Sequence, residues 1–382
     1  MEPQEALDNK VFEVKVLSGD TFLTPTGVNG SSSAANGDVL ESSHDGPFTG
    51  KVTCSVPVNV AGKELVAVGC AKGVWIGFRH DPKSMRRVLL LKMVSRCAML
   101  EDYGIFLVLA NKQLFAYQIE ALVPSSYPPA NISQPVKKLN GTQDVQFFTV
   151  GTLLGRTLVI YKCKRGLDSI FYALEPASQK ISELSPKYAW FKIYKDFFVP
   201  YESYDLTFLT AKIAILGSKG FEIMDLNDFE TVTIPQRDES QLGYLAKRCE
   251  ECRPIGIFES AEDEFLLCYN EFGVYVDKHG DPIRAEGIIE WEGNAERFAI
   301  HSRYILLFDS RFIEIRSLET GRLAQIIPGS DIRCISDGRR VSSLSALQAA
   351  QVHAVMNVQE IVGGPEPRAI VQQVIEFLPT VP

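Results

Sequence analysis

The chain has 382 residues, of which 46% are hydrophobic and 23% are charged. These values are typical of a globular protein with enough apolar residues for one large core or two smaller ones. The formal net charge is −8, and no run of five or six basic residues occurs. Because binding to a phosphate backbone requires a local excess of cations, we expect no nucleic-acid partner.

Nothing in the sequence predicts export or insertion into a membrane. The first nine residues lack the basic start and apolar run of a secretory signal. Apolar runs such as Ile105–Ala110 are far shorter than the roughly 20 residues of a membrane-spanning helix. Eight cysteines are spread along the chain, several of them inside apolar runs, where a thiol behaves as a small hydrophobic group. We therefore expect a reduced, cytoplasmic protein without a transmembrane segment.

The first fifty residues divide into two parts. Val11–Leu17 alternates apolar and polar residues, which predicts a strand with one buried face. Thr24–Gly46 is rich in Ser, Gly, Asn and Asp and cannot bury enough apolar surface to offset its ordering entropy. We expect residues 1–50 to form an N-terminal strand plus a disordered loop, at about 24–46, packed on a domain of residues 51–382.

From Lys51 onward, short apolar runs alternate with turn residues. Ile105–Ala110 and Gln113–Ile119, joined by the two-residue turn Asn111-Lys112, have the pattern of a β-hairpin. Similar groups of strands recur to the end of the chain, and helical periodicity is nearly absent. Val341–Met356 is the one segment compatible with a helix, and its second half suits a strand as well.

An all-β chain of this length must protect its sheet edges, and no Pro- or Gly-rich linker divides it into smaller domains. Several apolar runs are continuous rather than alternating, as expected for strands buried on both faces. A ring of four-stranded sheets meets both conditions. At roughly 40–50 residues per blade, the length predicts a seven-bladed β-propeller.

Three stretches resemble the citron homology family, and in particular its members in fungal Rho-type guanine nucleotide exchange factors. They are Lys51–Leu122, with its most specific part at Leu100–Tyr117, then Lys212–Asp225 and Leu266–Lys278. The resemblance implies a seven-bladed propeller that follows an exchange domain and a pleckstrin homology domain. As a separate hypothesis, we expect Val11–Leu17 to pair with the last strand, Ala369–Phe377, and so to close the ring.

The family has no catalytic motif to transfer, so the resemblance implies a non-catalytic protein-interaction domain and not an enzyme. Its partner would be a Rho-type small GTPase or an upstream scaffold protein in cell-wall integrity and actin or polarity signalling. The full-length protein would be recruited to the inner face of the plasma membrane at growth sites. One alternative is an architectural domain that restrains the neighbouring exchange domain. Another is a propeller hydrolase with a metal in its channel, although the five histidines are scattered.

Two segments are candidates for partner contact. The first, Lys195–Asp205, combines aromatic and acidic residues, and tyrosines at a partly wet surface supply contact area with a polar end. The second, Gln236–Arg253, has the mixed charges of a long loop. The alternatives are an ordinary strand pair joined by an acidic loop and a passive loop. The predicted partner-binding residues are Phe197, Tyr201, Glu202, Tyr204, Asp205, Lys247 and Arg248.

Other motifs have ordinary explanations, and we expect neither a cofactor nor a metal. Cys249-Glu-Glu-Cys252 has the spacing of half a zinc site or a redox pair, but no second pair accompanies it, and we interpret it as two cysteines in a charged loop. The acidic run Glu259–Glu264 lacks the spacing of a calcium loop and predicts a solvated turn. His279 is expected to be exposed, and the three tryptophans are expected to pack in the core.

Overall fold

The computed structural model describes residues 10–19, 21–23, 48–123, 136–139, 144–166, 168–177, 189–217, 220–235, 243–284, 287–339, 350–361 and 368–380. They form seven sheets, six with four strands and one with six. The first strands of successive sheets contact one another around a central channel. The chain is therefore a seven-bladed β-propeller, which confirms the predicted fold. None of the helices in the described ranges is long and apolar enough to cross a membrane.

The chain enters the fold through three short strands, β1 (Phe12–Val16), β2 (Phe22–Leu23) and β3 (Phe48–Thr49). Six blades follow, each with its strands in chain order from the channel outward. Blades 1 to 3 consist of β4 (Val52–Val60), β5 (Lys63–Cys70), β6 (Gly73–Phe78) and β7 (Arg86–Leu89); β8 (Val94–Leu100), β9 (Ile105–Ala110), β10 (Gln113–Gln118) and β11 (Val136–Lys138); and β12 (Val145–Leu153), β13 (Arg156–Arg165), β14 (Asp168–Pro176) and β15 (Phe191–Val199).

Blades 4 to 6 consist of β16 (Ser203–Phe208), β17 (Ile213–Gly217), β18 (Gly220–Met224) and β19 (Thr231–Ile234); β20 (Pro254–Ala261), β21 (Glu264–Tyr269), β22 (Phe272–Asp277) and β23 (Ile288–Glu290); and β24 (Arg297–His301), β25 (Tyr304–Phe308), β26 (Phe312–Ser317) and β27 (Leu323–Pro328). Blade 7 combines β1, β2 and β3 with the last three strands, β28 (Arg333–Ser336), β29 (His353–Ile361) and β30 (Arg368–Pro379). Among the described residues, the helical elements are α1 (Gly243–Glu251) and the 3-10 helices Pro82–Ser84, Glu101–Tyr103 and Ile119–Ala121.

The second blade shows how the sequence specifies these sheets. All six residues of β9 are buried, as expected for a strand with neighbouring blades on both faces. Its hairpin to β10 turns at Asn111 and Lys112, whose φ angles of 47° and 58° are those of a two-residue turn that matches the twist of the strands. The predicted hairpin is confirmed.

The ring closes through the N-terminal strand, as hypothesised. β1 pairs antiparallel with β30, from Phe12 opposite Pro379 to Val16 opposite Ile375. The Gln325 side chain of blade 6 supports this strand, because its Oε1 accepts the backbone N–H groups of Val11 at 2.9 Å and Phe12 at 2.8 Å. The outer strand of blade 7 therefore comes from the start of the chain, while its inner strands come from the end.

A second contact joins blade 7 to blade 1. The Arg79 guanidinium donates from Nε to Glu376 Oε2 at 2.9 Å and from Nη2 to Glu376 Oε1 at 2.8 Å. Glu376 lies on β30 and its side chain is 1% exposed. A bidentate pair of this kind satisfies a carboxylate that burial would otherwise penalise.

Two local expectations are settled by the structure. The segment compatible with a helix, Val341–Met356, falls partly outside the described residues, and its last four residues begin the strand β29. The tryptophans Trp75, Trp190 and Trp291 are all buried, which confirms their predicted packing role.

Burial of His301 gives the fold a pH dependence. This side chain is 2% exposed, and burial lowers the pKa of its imidazole more than the nearby Glu376 carboxylate raises it. At a pH just below 6.5, His301 therefore binds a proton more readily in the unfolded chain than in the folded one. We expect this contribution to stability to be present above the ordinary pKa of about 6.5 and to be lost as the pH falls below it.

Urea unfolding as a function of pH tests this expectation. His301→Gln should flatten the acid limb of the stability profile, whereas His279→Gln, at an exposed position, should leave the profile unchanged. Identical acid limbs for the wild type and His301→Gln would show that other groups cause the acid sensitivity.

Candidate interaction surface

Both candidate segments lie on the same face of the propeller. Each connects the outer strand of one blade to the inner strand of the next, β15 to β16 for the first and β19 to β20 for the second. Because each of these blades has four antiparallel strands, all such connections emerge at the end where the inner strands begin. We call this end the crossover face and the opposite end the turn face.

The aromatic residues of the first segment divide between the core and the surface. Phe197 is 9% exposed and stacks on Phe171 with ring centroids 4.9 Å apart. Tyr201 covers Gly217 so closely that a Cβ there would lie 2.5 Å from its ring. Tyr204, in contrast, is 56% exposed. Solvent therefore reaches Tyr204, while Phe197 and Tyr201 hold the segment in place.

Hydrogen bonds fix the connection between Val199 and Ser203. Ser169 Oγ donates to the Tyr201 carbonyl at 2.8 Å and accepts the Ser203 N–H at 3.0 Å. The buried Lys162 donates from Nζ to the Ser203 carbonyl at 3.0 Å, and burial lowers the pKa of this ammonium. The sequence offers no signal for these supports, since Lys162 and Ser169 lie on strands of the preceding blade.

Glu202 and Asp205 both have cationic neighbours. The exposed Glu202 carboxylate accepts from Lys164 Nζ at 2.9 Å, and this hydrogen bond lowers the pKa of Glu202. Asp205 points toward the channel, where it lies 3.5 Å from Arg96 of blade 2. The acidic character that singled out this segment is therefore partly neutralised in the fold.

The described part of the second segment is helical where a loop was expected. Residues 243–251 form α1, whose Leu245 is buried with Cys252 in the core between blades 4 and 5. Arg248 donates from Nη2 to Glu290 at 2.7 Å and lies 5.1 Å from the centre of the Phe272 ring. Lys247 is exposed on the helix surface. The structure thus ties Arg248 to blade 5 and leaves Lys247 open to solvent.

The cysteine pair lies at the end of this helix and not in a loop. Burial is the main cause that raises the pKa of both thiols, Cys249 and Cys252, with smaller contributions from neighbouring carboxylates. A redox pair depends on a lowered thiol pKa, so this environment does not favour one. Within the described ranges, no three His, Cys, Asp or Glu side chains are grouped in a way that could hold a metal ion.

Two smaller predictions are confirmed. In the acidic run, Glu259 belongs to β20, Glu264 begins β21, and the exposed Glu262 and Asp263 form the turn between these strands. His279 is exposed in the turn after β22.

Glu202 and Tyr204 border a chamber of about 440 Å³ in the central channel. At the turn face the chain crosses this channel, because Arg339 of blade 7 donates to Thr207 Oγ1 of blade 4 at 3.1 Å. Burial raises the pKa of Asp337 beside it, but Arg339, Arg96 and Arg297 outweigh this effect and hold the pKa below its ordinary value. The chamber is therefore a charged cavity of the size that binding sites commonly have.

Comparisons with known proteins agree with this architecture. The sequence profile of the CNH domain family matches residues 62–338. Rho1 guanine nucleotide exchange factor 1 of Schizosaccharomyces pombe is 30% identical over 75% of this chain and 22% of its own length. Rho1 guanine nucleotide exchange factor 2 of the same organism is 31% identical over 78% of this chain and 26% of its own length. The chain thus spans about a quarter of these curated relatives.

A solved structure gives the same result. The AfRom2 CNH domain superimposes with a TM-score of 0.70 at 28% sequence identity, covering 97% of this chain and 100% of that one.

Proposed function

Since the chain belongs to the CNH domain family, we propose that it is a non-catalytic protein-interaction domain of a Rho guanine nucleotide exchange factor. The names of its relatives support the signalling context, because the matched region is a part of Rho1 exchange factors. The proposal includes a cytoplasmic location and a role in cell-wall integrity and polarity signalling. Recruitment to the inner face of the plasma membrane would depend on the rest of the protein.

The proposed partner is a Rho-type small GTPase or a scaffold protein that brings the exchange factor to its site of action. The observation that carries this proposal is an exposed tyrosine on a rigid connection. Tyr204 is 56% exposed, yet the residues before it are anchored by Ser169 and Lys162. A preorganised aromatic side chain loses little conformational entropy on binding and is a common hot spot of interfaces.

Direct binding of GDP- and GTP-loaded Rho-type GTPase by calorimetry tests the proposal. Tyr204→Ala is expected to weaken binding by at least about tenfold, as at an interface hot spot, and to leave the free energy of unfolding unchanged within about 0.5 kcal/mol. Phe78→Ala is the matched control, because Phe78 is an exposed aromatic residue at the end of β6, on the opposite turn face. It should retain full affinity.

The isolated chain is expected not to accelerate nucleotide exchange, since exchange requires a helical catalytic domain. If neither nucleotide state of the GTPase binds, an architectural role becomes the better explanation. Exchange rates of a longer protein with and without this domain then decide whether the propeller restrains its neighbour.

A further inference from the structure

Basic residues from four blades converge at the channel mouth on the crossover face. Lys51, Arg253, Arg297 and Arg333 line a cavity of about 510 Å³. They precede or begin the inner strands of blades 1, 5, 6 and 7, so they are far apart in sequence and adjacent in the ring. Arg297 also borders the chamber below, which connects the two cavities. We call these four residues the basic mouth.

Part of this positive charge is neutralised within the described part of the chain. Arg333 is bound, because it donates to the Val52 carbonyl at 2.8 Å and lies 3.6 Å from Asp331. Among the described residues, the Arg253 side chain has a single long contact, 3.5 Å to the Ala295 carbonyl. Among the described residues, the side chains of Lys51 and Arg297 have no hydrogen bond or close ion pair. Burial lowers the pKa of the Arg297 guanidinium, but the carboxylates of Asp205 and Asp337 outweigh burial and raise it.

One carboxylate, Glu296, is among the residues that line the mouth. The lining therefore has four cations against one anion, with Asp331, the ion-pair partner of Arg333, as a second anion next to it, in a chain whose formal net charge is −8. A local field opposite in sign to the whole molecule favours an anionic partner at this place.

The shape of the mouth indicates which anionic partner fits. Arg297 lies where the mouth joins the chamber, so its guanidinium is recessed between the inner strands. A flat lipid surface contacts cations that protrude, whereas an extended peptide can place carboxylate side chains inside a recess. Guanidinium groups match carboxylates in geometry as well as in charge.

We propose that the basic mouth is a docking site for an acidic peptide segment of a partner protein. The proposal rests on the interaction function above and specifies the chemistry of one contact. Tyr204 borders the chamber that Arg297 shares with the basic mouth. It would therefore contact the partner protein next to the acidic segment.

A fluorescein-labelled octaglutamate peptide tests the site by fluorescence anisotropy on the whole chain. We expect saturable binding that weakens steeply when salt is raised from about 50 to about 200 mM. Arg297→Glu and Lys51→Glu should each weaken binding by at least about tenfold. Lys63→Glu, the same charge change at an exposed residue on the turn face, should have no effect. Thermal unfolding confirms that each variant is folded, and Lys51→Glu remains informative if Arg297→Glu destabilises the ring.

Three results would overturn the proposal: no saturable binding of the peptide, equal loss in Lys63→Glu, or affinity for phosphatidylserine vesicles without affinity for the peptide. The last result would assign the mouth to a membrane surface. GTPase binding that persists when octaglutamate binding is absent would reject this inference and leave the proposed interaction function intact.

Discussion

Replacing Phe12 with alanine is expected to lower the free energy of unfolding by about 3–5 kcal/mol, the usual cost of removing a buried aromatic side chain. Phe12 is 1% exposed, and its ring centroid lies 5.0 Å from that of His301 and 5.6 Å from that of Tyr304. The side chain anchors a strand of five residues that, together with the shorter β2, covers the outer edge of β30 in blade 7. Urea unfolding followed by tryptophan fluorescence measures the effect.

Val14→Ala is the control for this strand, because Val14 is 40% exposed. It should cost less than about 1 kcal/mol. Deletion of residues 1–20 should destabilise the domain more than Phe12→Ala does. A deletion variant as stable as the wild type would show that the pairing of β1 with β30 does not hold the ring closed.

The second large effect is expected at the ion pair between blades 1 and 7. Arg79→Ala should cost about 3–5 kcal/mol, because it leaves the Glu376 carboxylate buried without its bidentate partner. The loss is thus mainly the cost of an uncompensated buried charge. Combining Arg79→Ala with Glu376→Gln removes that charge and should restore part of the stability.

A surface ion pair provides the comparison. Arg156 lies 2.6 Å from Glu175, but its side chain is 44% exposed, and Glu175 has Lys192 as a second cationic partner. Arg156→Ala should therefore cost between 0 and about 1 kcal/mol. A double-mutant cycle by urea unfolding measures the Arg79–Glu376 coupling. A coupling as small as that of a surface pair would contradict the assigned role of this contact.

Local patterns predict the blades well, because each hairpin is encoded by neighbouring residues. The apolar run Ile105–Ala110 and the turn Asn111-Lys112 specify β9 and its hairpin without reference to the rest of the chain. The closing strand could also be predicted, since the alternation of Val11–Leu17 requires a partner sheet. α1 was missed because its nine residues are too short for a clear helical period.

The candidate site depends on contacts that local patterns do not encode. The anchors of Tyr204 lie on the preceding blade, and the basic mouth gathers cations from four blades. A search of the sequence for runs of basic residues does not find the basic mouth, since each of the four blades supplies only one cation. The aromatic residues of Lys195–Asp205 indicated an interaction surface. The burial of Phe197 shows that some of these residues pack in the core instead.

The closure of the ring has a mechanical consequence. Thr380 N–H donates to the Val11 carbonyl at 3.0 Å, so the first and last described strands end side by side. In an antiparallel pair the hydrogen bonds lie across the strands, and a force that separates the two ends loads them one after another. A pull between residues 10 and 380 would therefore unzip β1 from β30 at low force, although the same strand resists thermal unfolding through the packing of Phe12.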